Sequence, residues 1–171
     1  MTTAGPNSAG TGVNASGGFG SGSWTGPTNI TSLNGSAATI DGDDSRRLRA
    51  SSFGFSVPAT ATLTEILFEF YRKADGYVSD EEIRVWKAGV VQAGNYSVGT
   101  VWGSSYAYFS VLVPVSGWVY TDVNNSGFGI SLSVGAVSGT AYVDFVRCTI
   151  TYTEPSSGVP AHAMYYTRSR N

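Results

Sequence analysis

The sequence predicts an all-β protein, an antiparallel β-sandwich or jelly roll with an extended N-terminal arm and a short C-terminal tail. From Arg46 onward apolar residues recur with a period of two, which is typical of strands with one buried face. No window shows a sustained helical period with caps. Short segments rich in Gly, Asn, Ser and Asp separate the apolar runs, as expected for connections between antiparallel strands.

Charge and glycine divide the 171-residue chain into three predicted parts. Residues 1–45 form a Gly/Ser-rich N-terminal arm with a docking segment, residues 46–154 a β-sandwich domain, and residues 155–171 a C-terminal tail. The arm is predicted because residues 1–40 hold no charged side chain, and Gly/Ser segments bury too little surface to offset their ordering entropy. Its apolar residues indicate that it docks near its end: Trp24, Ile30, Leu33 and Ile40.

Six runs after the arm have the alternation or the β-branched and aromatic content of strands. The second places Ile66, Phe68 and Phe70 on one face, and the fourth is apolar on both faces, which predicts a strand buried on both sides. The last is the longest, and Cys148 within it is predicted to be a buried thiol. In chain order the runs are residues 53–55, 62–71, 82–87, 106–113, 128–134 and 140–153.

Composition excludes several classes of protein. Charged residues make up 13% of the chain and the formal net charge is −2, so no electrostatic attraction to nucleic acid or anionic lipid is expected. A single cysteine excludes an intrachain disulfide. Residues 1–22 lack the basic start and apolar run of a signal peptide, and no apolar run is long enough to span a membrane.

Catalytic and metal-binding residue patterns are weak. The only histidine, His162, follows two prolines in the tail, a poor place for a base that has to be held rigidly beside a nucleophile. With one His and one Cys, the chain cannot supply a structural zinc site. Glu65 and Glu69 share a strand face but lie ~13 Å apart at the rise of a strand, too far for a retaining glycosidase. We therefore expect no enzymatic activity and no cofactor.

Asp41, Asp43 and Asp44 have the spacing of oxygen ligands for a hard cation such as calcium. Arg46 and Arg47 follow at once and would repel a cation. A solvated turn, or carboxylates paired with neighbouring arginines, is therefore favoured over a metal site.

Aromatic residues offer one candidate binding site, a platform for sugar rings. The competing interpretation is that they fill the core, because aromatic residues are favoured in strands and bury large areas. The candidates for the carbohydrate platform are Trp86, Trp102 and Trp118, together with Tyr96, Tyr106 and Tyr108.

Several segments resemble a β-sandwich module that recurs in virion structural proteins of tailed bacteriophages. Its opening strand, Pro-Ala-Thr-like turn and second strand are similar to FGFSVPATATLTEI, and its later strands and Asp-Val-Asn loop to four shorter segments. The resemblance covers about residues 53–153, so the module nearly fills this chain, whereas it often sits within larger fibre proteins. The shorter segments are IRVWKAG (83–89), DVNNSGFGI (122–130), YVDFV (142–146) and TITYT (149–153).

The resemblance implies a non-enzymatic virion protein with no catalytic residues to carry over. Such modules occur on capsids and in tail appendages. A small body without fibre repeats favours a capsid decoration protein that is made in the host cytoplasm, binds the major capsid protein or tail proteins, and forms homo-oligomers. The alternative is a carbohydrate- or receptor-binding module of a tail fibre or other appendage, with a surface glycan as its ligand.

Overall fold

The computed structural model describes residues 1–155, so the predicted tail beyond Pro155, with His162, lies outside the described residues. Eight strands form one antiparallel sheet, which is strongly curled into a half-barrel. The predicted all-β antiparallel class is confirmed. The strands are β1 (Thr2–Ser8), β2 (Thr11–Gly18), β3 (Ala38–Asp41), β4 (Arg46–Ser51), β5 (Thr62–Lys87), β6 (Val90–Val91), β7 (Ala107–Val113) and β8 (Gly129–Thr153); a 3₁₀ helix (Pro27–Thr31) and α1 (Tyr120–Val123) are short.

Strands β5 and β8, of 26 and 25 residues, pair along their whole length and form the centre of the sheet. A flat strand of 26 residues would be about 85 Å long, so this pair has to bend in a chain of this size. Four register shifts interrupt the pairing. Because an extra residue in one strand raises the local twist, these bulges curl the sheet.

Two facing glycines lie near the middle of the long β5–β8 pair, the place that we call the bend. Gly76 and Gly139 are register partners, with φ angles of 95° and 113°. A Cβ atom on Gly139 would overlap the carbonyl oxygen of Asp75, and one on Gly76 would overlap the carbonyl oxygen of Ser138. Only glycine fits both the backbone conformation and the space at this point.

The remaining strands flank the two halves of the long pair. Strand β7 pairs with the first half of β5, and β1 and β3 pair with the second half of β8. Strand β4 pairs with the first half of β8, β2 pairs with β4, and β6 pairs with the end of β5.

One hydrophobic core fills the inside of the curl and draws on both halves of the sheet. Its closest ring pairs join Phe68 on β5 to Phe53 and Phe128, with ring centroids 5.6 and 5.3 Å apart. Cys148 is buried with Val146 and Ile150 on the inward face of β8, which confirms the predicted buried thiol. Burial raises the pKa of this thiol.

The strand predicted to be buried on both sides is instead an edge strand. Within residues 1–155, β7 pairs with β5 alone. Val111 and Val113 point into the core, whereas Leu112 is 61% exposed and Tyr108 39% exposed. The prediction was wrong because an apolar outer face can stay uncovered at the margin of a sheet.

The extended N-terminal arm predicted for residues 1–45 is also corrected. Strands β1 and β2 bond to β8 and β4, so this segment belongs to the sheet. Glycine in this segment allows two parts of the backbone to pack closely, because a Cβ on Gly12 would overlap the carbonyl oxygen of Pro27. Trp24 is only 2% exposed, as the docking prediction requires, and Ile30 and Ile40 are buried with it. Leu33 is exposed, against that prediction.

The bend predicts a strong penalty for a side chain at Gly139. We expect Gly139→Ala to lower the free energy of unfolding by about 3 kcal/mol or more, because the added Cβ meets backbone as well as an unfavourable φ. Gly117→Ala is the matched control: its φ is 77°, but a Cβ there meets nothing within 4 Å. The control should cost only ~1–2 kcal/mol for the left-handed backbone. Equal losses in urea denaturation would contradict the steric role of the bend.

The N-terminal segment is predicted to stabilise the fold through Trp24. Trp24→Ala should lower the free energy of unfolding by about 3–5 kcal/mol, since it empties a buried site and removes the indole N–H bond to the Arg46 carbonyl. Phe19→Ala is the control in the same glycine-rich segment, because Phe19 is 56% exposed, and it should cost under about 0.5 kcal/mol. Similar denaturation curves for the two variants would restore the arm hypothesis.

Candidate functional site

The three tryptophans of the predicted sugar platform lie in separate surroundings. Trp86 is buried, donates its indole N–H to Ser131 Oγ at 2.8 Å, and has the Arg49 guanidinium over its ring at 4.3 Å. Trp118 is half-buried, with its ring edge-on to Phe128. Both rings therefore make contacts within the fold.

Trp102 lies near the bend, away from Trp86. Its backbone N–H bonds to the Val78 carbonyl, eight residues before Trp86 on β5, which is roughly 25 Å along a strand. Trp102 is buried, and the Arg72 guanidinium covers its ring at 4.2 Å. The structure thus does not bring the three tryptophans onto one exposed face.

Two of the predicted tyrosines do come together, with a third. Tyr106 and Tyr108 flank Tyr71, with ring centroids 5.1 and 4.8 Å from it. We call Tyr71, Tyr106 and Tyr108 the tyrosine cluster. It lies on the outer face of the sheet, because Phe68 and Phe70 of β5 point into the core and Tyr71 alternates with them. The alternation in residues 62–71 puts Tyr71 opposite the apolar face, but its contact with β7 is not visible in the sequence, since one strand's pattern does not show which strand it pairs with.

Cations border the tyrosine cluster. The Arg147 guanidinium lies over the Tyr108 ring at 4.2 Å and bonds to Glu69 through Nε (2.7 Å) and Nη2 (3.2 Å). The hydrogen bond with Glu69 raises the pKa of Arg147. Lys73 Nζ lies 5.5 Å from the centre of the Tyr106 ring. Tyrosine and arginine are both enriched in protein interfaces, and this outer surface carries both.

The edge of β7 is the second feature of this surface. Its sequence, AYFSVLV, contains no charge and no proline. Strands at an open edge present unpaired N–H and C=O groups and usually carry lysine, proline or a bulge that prevents further pairing. We use the name β7 edge for the backbone and exposed side chains of residues 107–113 on the side away from β5. This edge has none of those protections.

Two concave sites lie at the ends of β7. One, of about 280 Å³, is at its C-terminal end and the other, of about 170 Å³, at its N-terminal end. Both are small for a drug-sized ligand, whose pockets are ~300–1,000 Å³. The first is lined by Thr64, Glu65 and residues 112–115, and the second by Arg72, residues 101–103, Ser105 and residues 107–109.

Arg72, which lines the smaller cavity, belongs to a buried ion pair. Arg72 Nη1 bonds to Asp80 Oδ1 at 3.0 Å, and both side chains are buried. The guanidinium carbon lies 4.2 Å from the Trp102 ring centre and 3.9 Å from that of Phe109. Burial lowers the pKa of Arg72 to about 10, while the charge of Asp80 and its hydrogen bond act to raise it. Arg72 is therefore still charged at neutral pH.

Asp80 also connects this pair to the loop before β7. Its Oδ1 accepts the Trp102 indole N–H at 3.2 Å, and its Oδ2 accepts the Val98 N–H at 2.8 Å. The ion pair thus holds residues 98–102 against β5. Its contacts are those of a structural cluster that positions the chain entering β7.

Two of the carboxylates considered for catalysis or metal binding have separate partners within the fold. Glu69 is paired with Arg147, and Asp41 Oδ1 accepts the Thr140 hydroxyl at 2.8 Å. Among residues 1–155, no three His, Cys, Asp or Glu side chains are grouped in a way that would hold a metal ion. In the same range no helix has the length and apolar character needed to cross a bilayer.

Comparisons with known protein families and with curated proteins find no match for this chain.

The buried ion pair predicts unequal costs for two arginine substitutions. Arg72→Ala should lower the free energy of unfolding by about 3–5 kcal/mol, because it leaves the Asp80 carboxylate buried without its cation. Arg147→Ala, which removes a partly exposed pair on the outer face, should cost no more than about 1 kcal/mol. Thermal and urea unfolding of both variants measure the difference, and a loss no larger for Arg72 than for Arg147 would refute the structural role.

Proposed function

We propose that this protein is a non-enzymatic structural component of a bacteriophage particle, a capsid decoration protein held by the edges of its sheet. The observation that carries the proposal is the β7 edge, an uncharged strand with open backbone groups beside a tyrosine- and arginine-rich face. An open apolar edge of this kind is a liability in an isolated protein and a contact in an assembly. Subunit packing is therefore the function that this surface fits best.

The sequence resemblance supplies the phage part of the proposal. About half of the residues that resemble the virion module fall on the central strands: residues 62–66 and 83–87 on β5, and residues 142–146 and 149–153 on β8. We propose that the curled sheet is a variant of the sandwich or jelly roll of that module, with the two halves of the β5–β8 pair as its layers. Since residues 1–18 are built into the sheet, attachment is assigned to sheet edges and not to an N-terminal arm.

The alternative, a carbohydrate- or receptor-binding module of a tail appendage, is favoured by the tyrosine cluster. Aromatic rings with neighbouring cations on an outer face suit polar ligands such as glycans. However, Tyr71 is covered by Tyr106 and Tyr108, and Arg147 covers Tyr108, so much of the ring surface is already in contact. Packing against protein remains the better supported function.

The experiment is to locate the protein on purified phage particles by immunogold labelling and to measure its copy number by mass spectrometry. We expect labelling of the head, and we expect Leu112→Lys at the β7 edge to reduce incorporation at least about tenfold, because a charged edge resists pairing. Val119→Lys, at another exposed apolar residue, is the control and should be incorporated normally. Labelling of the tail would support the alternative, and absence from particles would refute both.

A further inference from the structure

We propose that the β7 edge joins two copies of this chain, which pair antiparallel about a twofold axis at Ser110 and so continue one sheet into the other. The inference rests on the proposed function, because it names the partner at the edge to which subunit packing was assigned. The expected product is a homodimer that forms in solution and does not require attachment to a particle.

Within residues 1–155, β7 is the edge strand best suited to further pairing. Strand β1 carries Pro6 and a bulge between Ala4 and Asn7, two features that block further pairing. Strand β2 carries a bulge between Ala15 and Gly18, which likewise disfavours further pairing. Strands β3 and β6 have only four and two residues. Among the described edge strands, β7 alone combines length with no charge, proline or bulge.

Backbone geometry restricts the register of a β7–β7 pair. Alternate residues of an edge strand direct their N–H and C=O groups outward, toward a new strand. In an antiparallel pair, a residue with outward groups has to face another residue with outward groups. For two copies of one strand, this condition holds only when the two residue numbers in each opposing pair are both odd or both even. Of these registers, the one centred on Ser110 brings all seven residues of β7 into pairs.

The same register covers the exposed apolar side chains. Tyr108 stands opposite the partner's Leu112, and by symmetry Leu112 stands opposite the partner's Tyr108. These are the two large exposed side chains of β7, at 39% and 61%. An aromatic residue facing an aliphatic one is a favourable cross-strand pair, and Ser110 faces its own copy between them.

Electrostatics present no obstacle to this pairing. Strand β7 has no charged side chain, so no like charges face each other across the axis. The nearest carboxylate at the level of Ser110 is Glu69, one strand inward, and Arg147 neutralises it. Two Glu69 carboxylates would be separated by three strand spacings, about 14 Å.

A single cysteine tests the axis. In Ser110→Cys the two thiols of a dimer are register partners, and opposing Cα atoms ~4.5–5.5 Å apart lie within the range for a disulfide. The native Cys148 is buried and does not compete. The matched control is Thr149→Cys, at a partly exposed residue on β8, two strands from the axis. Under mild oxidation we expect covalent dimers of Ser110→Cys to form at least about tenfold faster than those of the control, because only Ser110 has this geometry.

Sedimentation of the protein without added cysteines gives the second measurement. We expect a reversible monomer–dimer equilibrium, and we expect Leu112→Lys to weaken it at least about tenfold, because it puts a charge at the paired edge. Val119→Lys should sediment as the unsubstituted protein. The inference is overturned if the unsubstituted protein stays monomeric at all concentrations, or if the two cysteine variants oxidise at equal rates.

Dimer formation and presence on phage particles can succeed or fail independently of each other. A dimer with the Ser110 cross-link in a protein absent from particles would support this inference and refute the virion proposal. A monomer present on particles, and lost from them in Leu112→Lys, would do the opposite and assign the edge to a different virion protein.

Discussion

The fold depends on the bend in the β5–β8 pair. Two strands of this length can enclose a core only if they curl, and the paired Gly76 and Gly139 permit a sharp change of backbone direction near their middle. A residue with a Cβ would clash with backbone at either position. Because every other strand attaches to this pair or to β4 beside it, the position of the bend fixes where the flanking strands lie.

The ion pair near the bend has a positional role that follows from its burial. Taking Arg72 and Asp80 out of water is costly, and their mutual contact offsets that cost only with good geometry and further hydrogen bonds. Both conditions are met, since the guanidinium is stacked between two rings and Asp80 accepts bonds from Trp102 and Val98. The loop before β7 is consequently held in place, and with it the strand that faces outward.

Strand β7 links the core to the proposed contact surface. Its inward valines close the core, while its outward residues and its open backbone face solvent. Tyr71 and Tyr108 of the tyrosine cluster join the same strand to β5, so this part of the surface is supported by the sheet, while Tyr106 comes from the loop before β7. A rigid, uncharged edge of this type has little ordering entropy to lose on association, which favours packing between subunits.

The sequence by itself determined the class of the fold and the inward face of the strands after Arg46. Alternation predicted that Phe68 and Cys148 point inward, because the period of two is a local property of each strand. Only the tertiary structure decided which strands are neighbours. It placed the glycine-rich N-terminal residues in the sheet, left β7 at an edge, brought Tyr71 to Tyr106, and buried Trp86 and Trp102. The physical reason is that sheets are joined by backbone hydrogen bonds, which all residues except proline can donate, so the pairing partner leaves little trace in the side-chain pattern.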